Sequence, residues 1–138
     1  MKKIITSITM LMLLAFYLPS CKKTDIQQEQ STLQKIQAKW SLVSIIDNDH
    51  YAGADHISTT TGTATDYFEF KTDGKIYYSV SGFTDVVTYS LVNNNTQILI
   101  DGSETYDIKT ISANSFVMYR KELRSGSDYD EETLTLRK

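Results

Sequence analysis

The sequence predicts an all-β fold, an antiparallel sandwich or barrel entered through one short helix. Three observations predict it. Nine Tyr and five Phe join frequent Thr, Ile and Val, the residue types that strands favour. Apolar and polar residues alternate in eight short stretches, separated by turn signals and by no long helical pattern. The chain is 138 residues long, enough for one small core and not for two. Charge and cysteine content narrow the function classes. With 14 basic against 17 acidic residues, the chain lacks the basic surplus that nucleic acid partners require. One cysteine leaves no internal disulfide, no CxxC redox pair and no multi-cysteine zinc site.

Residues 1–20 read as a signal peptide. Met1-Lys2-Lys3 is a short basic start, and Ile4 to Leu18 is a mostly apolar run, shorter than the roughly 20 residues a membrane-spanning helix needs. Pro19 stops any helix, and Leu18-Pro19-Ser20-Cys21 resembles the lipobox of bacterial lipoproteins. That resemblance implies cleavage before Cys21 and acylation of its thiol and new amine. Each buried methylene contributes about 0.8 kcal/mol, so several acyl chains hold a protein on a membrane almost permanently. Removal of Lys2 and Lys3 leaves the mature chain two charges more acidic than the formal −3 of the whole. Lys22, not Asp, follows the cysteine, which by the same resemblance implies the outer membrane of a bacterial cell envelope. Residues 21–30 then form the lipidated cysteine and a polar tether.

Residues 31–138 form the folded domain. Ser31-Thr32-Leu33-Gln34 has the pattern of a capping box, in which Ser31 caps and Gln34 reaches back. Leu33, Ile36 and Trp40 fall on one helical face, and the helix is expected over Thr32 to Ala38. Strands follow at Trp40–Ile46, Tyr67–Lys71, Lys75–Val80, Val86–Val92, Gln97–Asp101, Thr105–Ile111, Ser115–Lys121 and Glu132–Lys138. Thr72-Asp73-Gly74, Asn93 to Thr96 and Ser112-Ala113-Asn114 are tight turns. Two links are long: Asp47 to Asp66 and Glu122 to Glu131. In an up-and-down meander both fall at one end, with those tight turns at the other. A long link without secondary structure in a small domain is expected to be a lid or binding loop, so that end is expected to be an open mouth.

The leading helix, Trp40 at the start of the first strand, eight strands, a long first link and Arg137 near the end of the last strand resemble the lipocalin-like family, in the form of a bacterial lipoprotein relative. The resemblance implies an eight-stranded up-and-down antiparallel barrel that binds a small, partly apolar ligand without catalysis. In such a meander the first and last strands become neighbours on closure, which places Trp40 and Arg137 together as a cation–π pair at the closed end, with Leu33 and Ile36. The alternative for Trp40 is an ordinary core tryptophan, with Arg137 exposed.

Eight strands enclose a space that side chains just fill, or that holds one small ligand. Alternation turns Leu42, Ile46, Phe70, Tyr78, Tyr89 and Tyr106 inward, among others, and leaves open whether Phe116/Met118 or Val117/Tyr119 face in. Tyr78, Tyr89, Tyr106 and Phe70 are the candidate ligand-binding residues, because a buried phenol needs a hydrogen-bond partner that a ligand can supply. The protein can equally supply it. A filled barrel is the alternative, acting as an envelope module that binds a protein or glycan through its long links. No GxSxG elbow, P-loop, GxGxxG or HExxH is present, so no enzyme and no cofactor are predicted. His50 and His56 share the first long link with Asp47, Asp49 and Asp55, but their spacing matches no zinc site. Asp128 to Glu132 lacks the Gly and alternation of a calcium loop and reads as a solvated turn.

Overall fold

A computed structural model describes residues 31–138. The signal peptide, Cys21 and the tether lie outside the described residues.

The chain enters through α1 (Thr32–Ile36). Ser31 Oγ accepts from the Gln34 amide at 3.3 Å, and the Ser31 amide donates to Gln34 Oε1 at 3.0 Å, so the capping box forms as its residues require. The helix stops at Ile36, short of Ala38. A single turn is unstable in isolation, so α1 depends on its packing. Ile36 is wholly buried, whereas Leu33 is 43% exposed and adds nothing to the plug expected of it.

Nine strands follow: β1 (Lys39–Tyr51), β2 (Ala54–Thr61), β3 (Tyr67–Phe70), β4 (Lys75–Val80), β5 (Phe83–Val92), β6 (Gln97–Ile100), β7 (Glu104–Ile111), β8 (Ser115–Leu123) and β9 (Tyr129–Arg137). Every neighbouring pair is antiparallel, and β1 also pairs with β9. Strands β1 and β3 to β9 therefore close into an eight-stranded up-and-down barrel, and β2 is additional to it.

The Asp47–Asp66 link is not the open lid loop that its length predicts. Strand β1 continues to Tyr51, turns at Ala52-Gly53 and returns as β2. Both turn residues have positive φ, 53° and 76°, the backbone that matches the twist of a two-residue hairpin. Ile57 and Thr59 to Thr61 are β-branched and favour extended backbone, a preference hidden by the Asp and His residues around them. Strand β1 gives one edge to β3 only at Lys39–Ser41. From Ser44 onward that edge belongs to β2, while the opposite edge keeps β9 as far as His50↔Tyr129. The second long link shrinks similarly, because β8 and β9 run on to Leu123 and Tyr129. The two long connections do share one rim: Arg124, between β8 and β9, reaches Asp49 of β1 at 3.7 Å and Asp130 of β9.

Two residues tie the hairpin back to the barrel. The Gly62 amide donates to the Val43 carbonyl at 2.9 Å, and a Cβ at Gly62 would collide with the Leu42 backbone carbonyl. Asp66, 2% exposed, accepts from the Thr63 amide at 2.9 Å and the Ser81 amide at 3.0 Å, joining the start of β3 to the β4–β5 turn.

Bulges correct the inward set. The register of β1 against β9 shifts between Leu42 and Ser44, so Ile45 and not Ile46 turns inward; Ile46 is 39% exposed. On β8, Phe116 and Met118 are the inward pair, both fully buried.

The closed end is aromatic. Trp40 meets Phe116 at 5.4 Å between ring centroids, Phe116 meets Phe70 at 5.5 Å, and Phe70 meets the edge of Tyr89 at 5.3 Å. Trp40 Nε1 donates to the Ile36 carbonyl at 2.9 Å, which seats α1 over this layer. The expected Trp40–Arg137 pair does not form. Arg137 is exposed on the outer face, one step from buried Leu136, while Lys138 Nζ stands 4.3 Å from the Trp40 ring. Strand alternation decides this, since consecutive side chains leave opposite faces.

Candidate functional site: the barrel cavity

Above the aromatic floor the barrel is not filled. A cavity of about 440 Å³ lies within it, at the lower end of the range of small-molecule sites, about 300–1,000 Å³. Its apolar wall comes from Ile45 on β1, Phe68 on β3, Ile76 and Val80 on β4, Val87 on β5, Ile100 on β6, Met118 on β8 and Leu134 on β9. Its polar lining is Tyr78, Tyr106, Asp101, Ser103, Glu104 and Glu132. Asp101 and Ser103 belong to the β6–β7 turn at the same end as the long connections, so the polar groups gather towards the mouth.

Of the four candidate ligand-binding residues, Tyr78 and Tyr106 line this cavity. Tyr78 is positioned through its ring, stacked on Phe68 at 5.4 Å with Phe83 at 6.3 Å. Tyr106 donates its hydroxyl proton to Glu132 Oε1 at 2.6 Å. Tyr89 and Phe70 are placed differently. Both belong to the closed-end floor, and the Tyr89 hydroxyl is satisfied by the Lys71 carbonyl at 2.8 Å. Period-two alternation identifies which face a residue takes, but not its height in the barrel.

Glu132 is the residue that the acidic run concealed. Asp128 to Glu132 reads as a solvated turn, yet Glu132 stands on β9 in phase with Leu134 and Leu136 and turns inward with them. That shared parity was the available signal. Glu131, on the opposite face, accepts from Tyr119 and Lys121, each at 2.8 Å. Burial holds the Glu132 carboxyl above the usual carboxylate range, against the Tyr106 hydrogen bond, and the Asp47 carboxylate adds to the rise. Asp47 is its cross-strand partner on β1. Burial, followed by the bond to Glu132, pushes the Tyr106 phenol well above its ordinary range. Tyr106 is therefore a neutral donor at physiological pH.

The hairpin histidines lie outside the cavity lining. His50 pairs with Asp55 at 2.7 Å and stacks on Tyr129 at 4.6 Å; His56 stacks on Tyr51 at 4.0 Å. Cross-strand register puts His50 with Asp55 and His56 with Asp49, on opposite faces of the ribbon. Among the described residues no group of three His, Cys, Asp or Glu side chains is placed to hold a metal ion.

A closed eight-stranded meander with a plugged base and an apolar cavity defines a small antiparallel β-barrel with space inside it. The sequence model of the lipocalin-like domain matches residues 36–118, more than half of the chain, and the protein belongs to that family. The matched stretch ends on β8, and β9, which closes the barrel and supplies Glu132, follows it. No curated protein matches the sequence significantly.

Proposed function

We propose that this protein is a lipid-anchored envelope lipoprotein whose barrel carries a small, partly apolar molecule, without catalysis. The observation that carries the reading is the cavity: space of ligand size, apolar walls and a few polar groups at one end. A barrel acting only through its outer loops has no need of that space, so the cavity favours carriage over the filled-barrel alternative. The anchor rests on the lipobox resemblance at Cys21, and the outer membrane on Lys22 beside it. The family's general use of the barrel for binding supports the absence of catalysis.

Uptake of the uncharged fluorophore N-phenyl-1-naphthylamine by the full chain tests carriage. Fluorescence is expected to rise saturably, and Val87→Trp, which fills the cavity from β5, is expected to abolish the rise while the circular dichroism of the barrel persists. Equal uptake by both proteins would overturn carriage in this cavity. Radiolabelled palmitate is expected to enter the parent protein and not Cys21→Ser when each is expressed in a bacterial host.

A further inference from the structure

We infer that the ligand is a cationic amphiphile, a hydrocarbon body ending in a protonated amine, and that Glu132 and Glu104 receive the amine. The inference rests on the carriage reading and specifies the ligand class of the same cavity. Among the described residues, the three charged side chains lining the cavity are carboxylates, Asp101, Glu104 and Glu132, and no Lys or Arg lines it. Asp47 stands opposite Glu132 on β1 and adds a fourth negative group. Arg120, the cross-strand partner of Glu132 on β8, is shared among the carboxylates around it: it reaches Glu104 at 3.3 Å and Glu122 at 3.4 Å and lies 5.6 Å from the Tyr106 ring centre. One cation therefore faces a local surplus of carboxylates.

Glu132 is the most demanding of them. A buried carboxylate is costly unless it is paired with a charge or well hydrogen-bonded. Its hydrogen-bonded partner is the neutral Tyr106 phenol, and its cross-strand neighbours are Asp47 on β1 and Arg120 on β8, whose guanidinium makes its ion pairs with Glu104 and Glu122. An incoming ammonium gives Glu132 a direct ion pair and a charge-assisted hydrogen bond, while Arg120 stays with Glu104 and Glu122. A fatty acid carboxylate would instead meet like charge at the same place. The apolar wall formed by Ile45, Val87, Ile100, Met118 and Leu134 accepts the hydrocarbon, so the ligand enters tail first with its cation near the mouth.

The test compares three probes of equal chain length on the full-length protein: dodecylamine, dodecanol and dodecanoate, each displacing N-phenyl-1-naphthylamine. The amine is expected to bind roughly tenfold more tightly than the alcohol, the difference between a charge-assisted and a neutral hydrogen bond, and dodecanoate more weakly than either. Glu132→Gln is expected to collapse the amine-to-alcohol ratio towards one. Glu104→Gln, at a half-exposed position with little folding risk, is expected to lower it in the same direction. An amine that binds no better than the alcohol, or a dodecanoate that binds best, overturns the inference while leaving carriage intact. A parent protein that takes up neither the fluorophore nor the amine overturns both.

Discussion

At the residue scale, position on a strand decides what a side chain does, and adjacent residues have opposite fates. Trp40 is fully buried against Phe116 and α1, so Trp40→Ala is expected to cost about 3–5 kcal/mol in urea unfolding. Lys138, over the indole, is expected to contribute about 0.5–1 kcal/mol as an exposed cation–π partner, whereas Arg137→Ala is expected to stay within about 0.5 kcal/mol of the parent. The reverse order would restore the Trp40–Arg137 pair. Glu132 makes a pH prediction. Its folded carboxyl holds a proton more tightly than the ordinary value of 4.5. Well below pH 4.5 the group is protonated in both folded and unfolded chains, and the shift has no effect. As pH rises through 4.5 the unfolded chain ionises first, and stability is lost until the folded value is passed. Glu132→Gln is therefore expected to melt above the ligand-free parent at pH 7 and to lose that advantage at pH 4. Asp47, Glu104, Tyr106 and Arg120, which surround it, are common to both proteins, so the difference between the two melting curves isolates Glu132. Asp66 carries the opposite sign. The Thr63 amide holds its carboxyl below the usual range, so its contribution is present at neutral pH and fades as acid protonates it.

At the element scale, the β1–β2 hairpin is the feature that departs most from the sequence reading. Its outer part, Asp47 to Tyr51 of β1 with β2, is mostly polar on both faces, and β2 leaves nearly every side chain exposed and packs on no core. Binary patterning has nothing to detect in such a ribbon. The clue lay in the backbone preferences of Ile57 and Thr59 to Thr61 and in the Ala52-Gly53 turn. Gly62 makes the hairpin compatible with the barrel. It brings β2's exit against the Leu42 carbonyl, so Gly62→Ala is expected to destabilise by about 1–3 kcal/mol because backbone, not a flexible side chain, must move. Gly53→Ala, at the open tip, has no atom in the way and is strained only by its φ of 76°. Equal losses at the two positions would show that the close approach at Gly62 carries no energetic weight.

For the whole molecule, the barrel divides into a solid half and a hollow half. The aromatic layer of Trp40, Phe70, Tyr89 and Phe116 with Ile36 fills the closed end, and the cavity begins where the inward residues become Ile45, Val87, Ile100 and Met118. A ligand that occupies only the folded barrel raises its stability by mass action, about 2.7 kcal/mol at a hundred times its Kd. Scanning calorimetry with increasing dodecylamine is therefore expected to show a melting temperature that climbs with ligand concentration. A flat response would mean that the probe does not reach the folded cavity.

The number of barrel strands, the capping box, the tight turns at the closed end and the shared rim of the long connections are legible in the linear sequence. Those are local matters of alternation, turn chemistry and link length, and each can be read within a few residues. The sequence also carries the lipobox pattern at Cys21. Which tyrosines meet the cavity, that Ile45 replaces Ile46 through a bulge, and that Lys138 stands over Trp40 follow from the closed barrel alone. Each of these depends on height and phase around a closed barrel. A bulge within a strand, such as the one between Leu42 and Ser44, reverses the face of every later residue of that strand, and linear alternation does not record it.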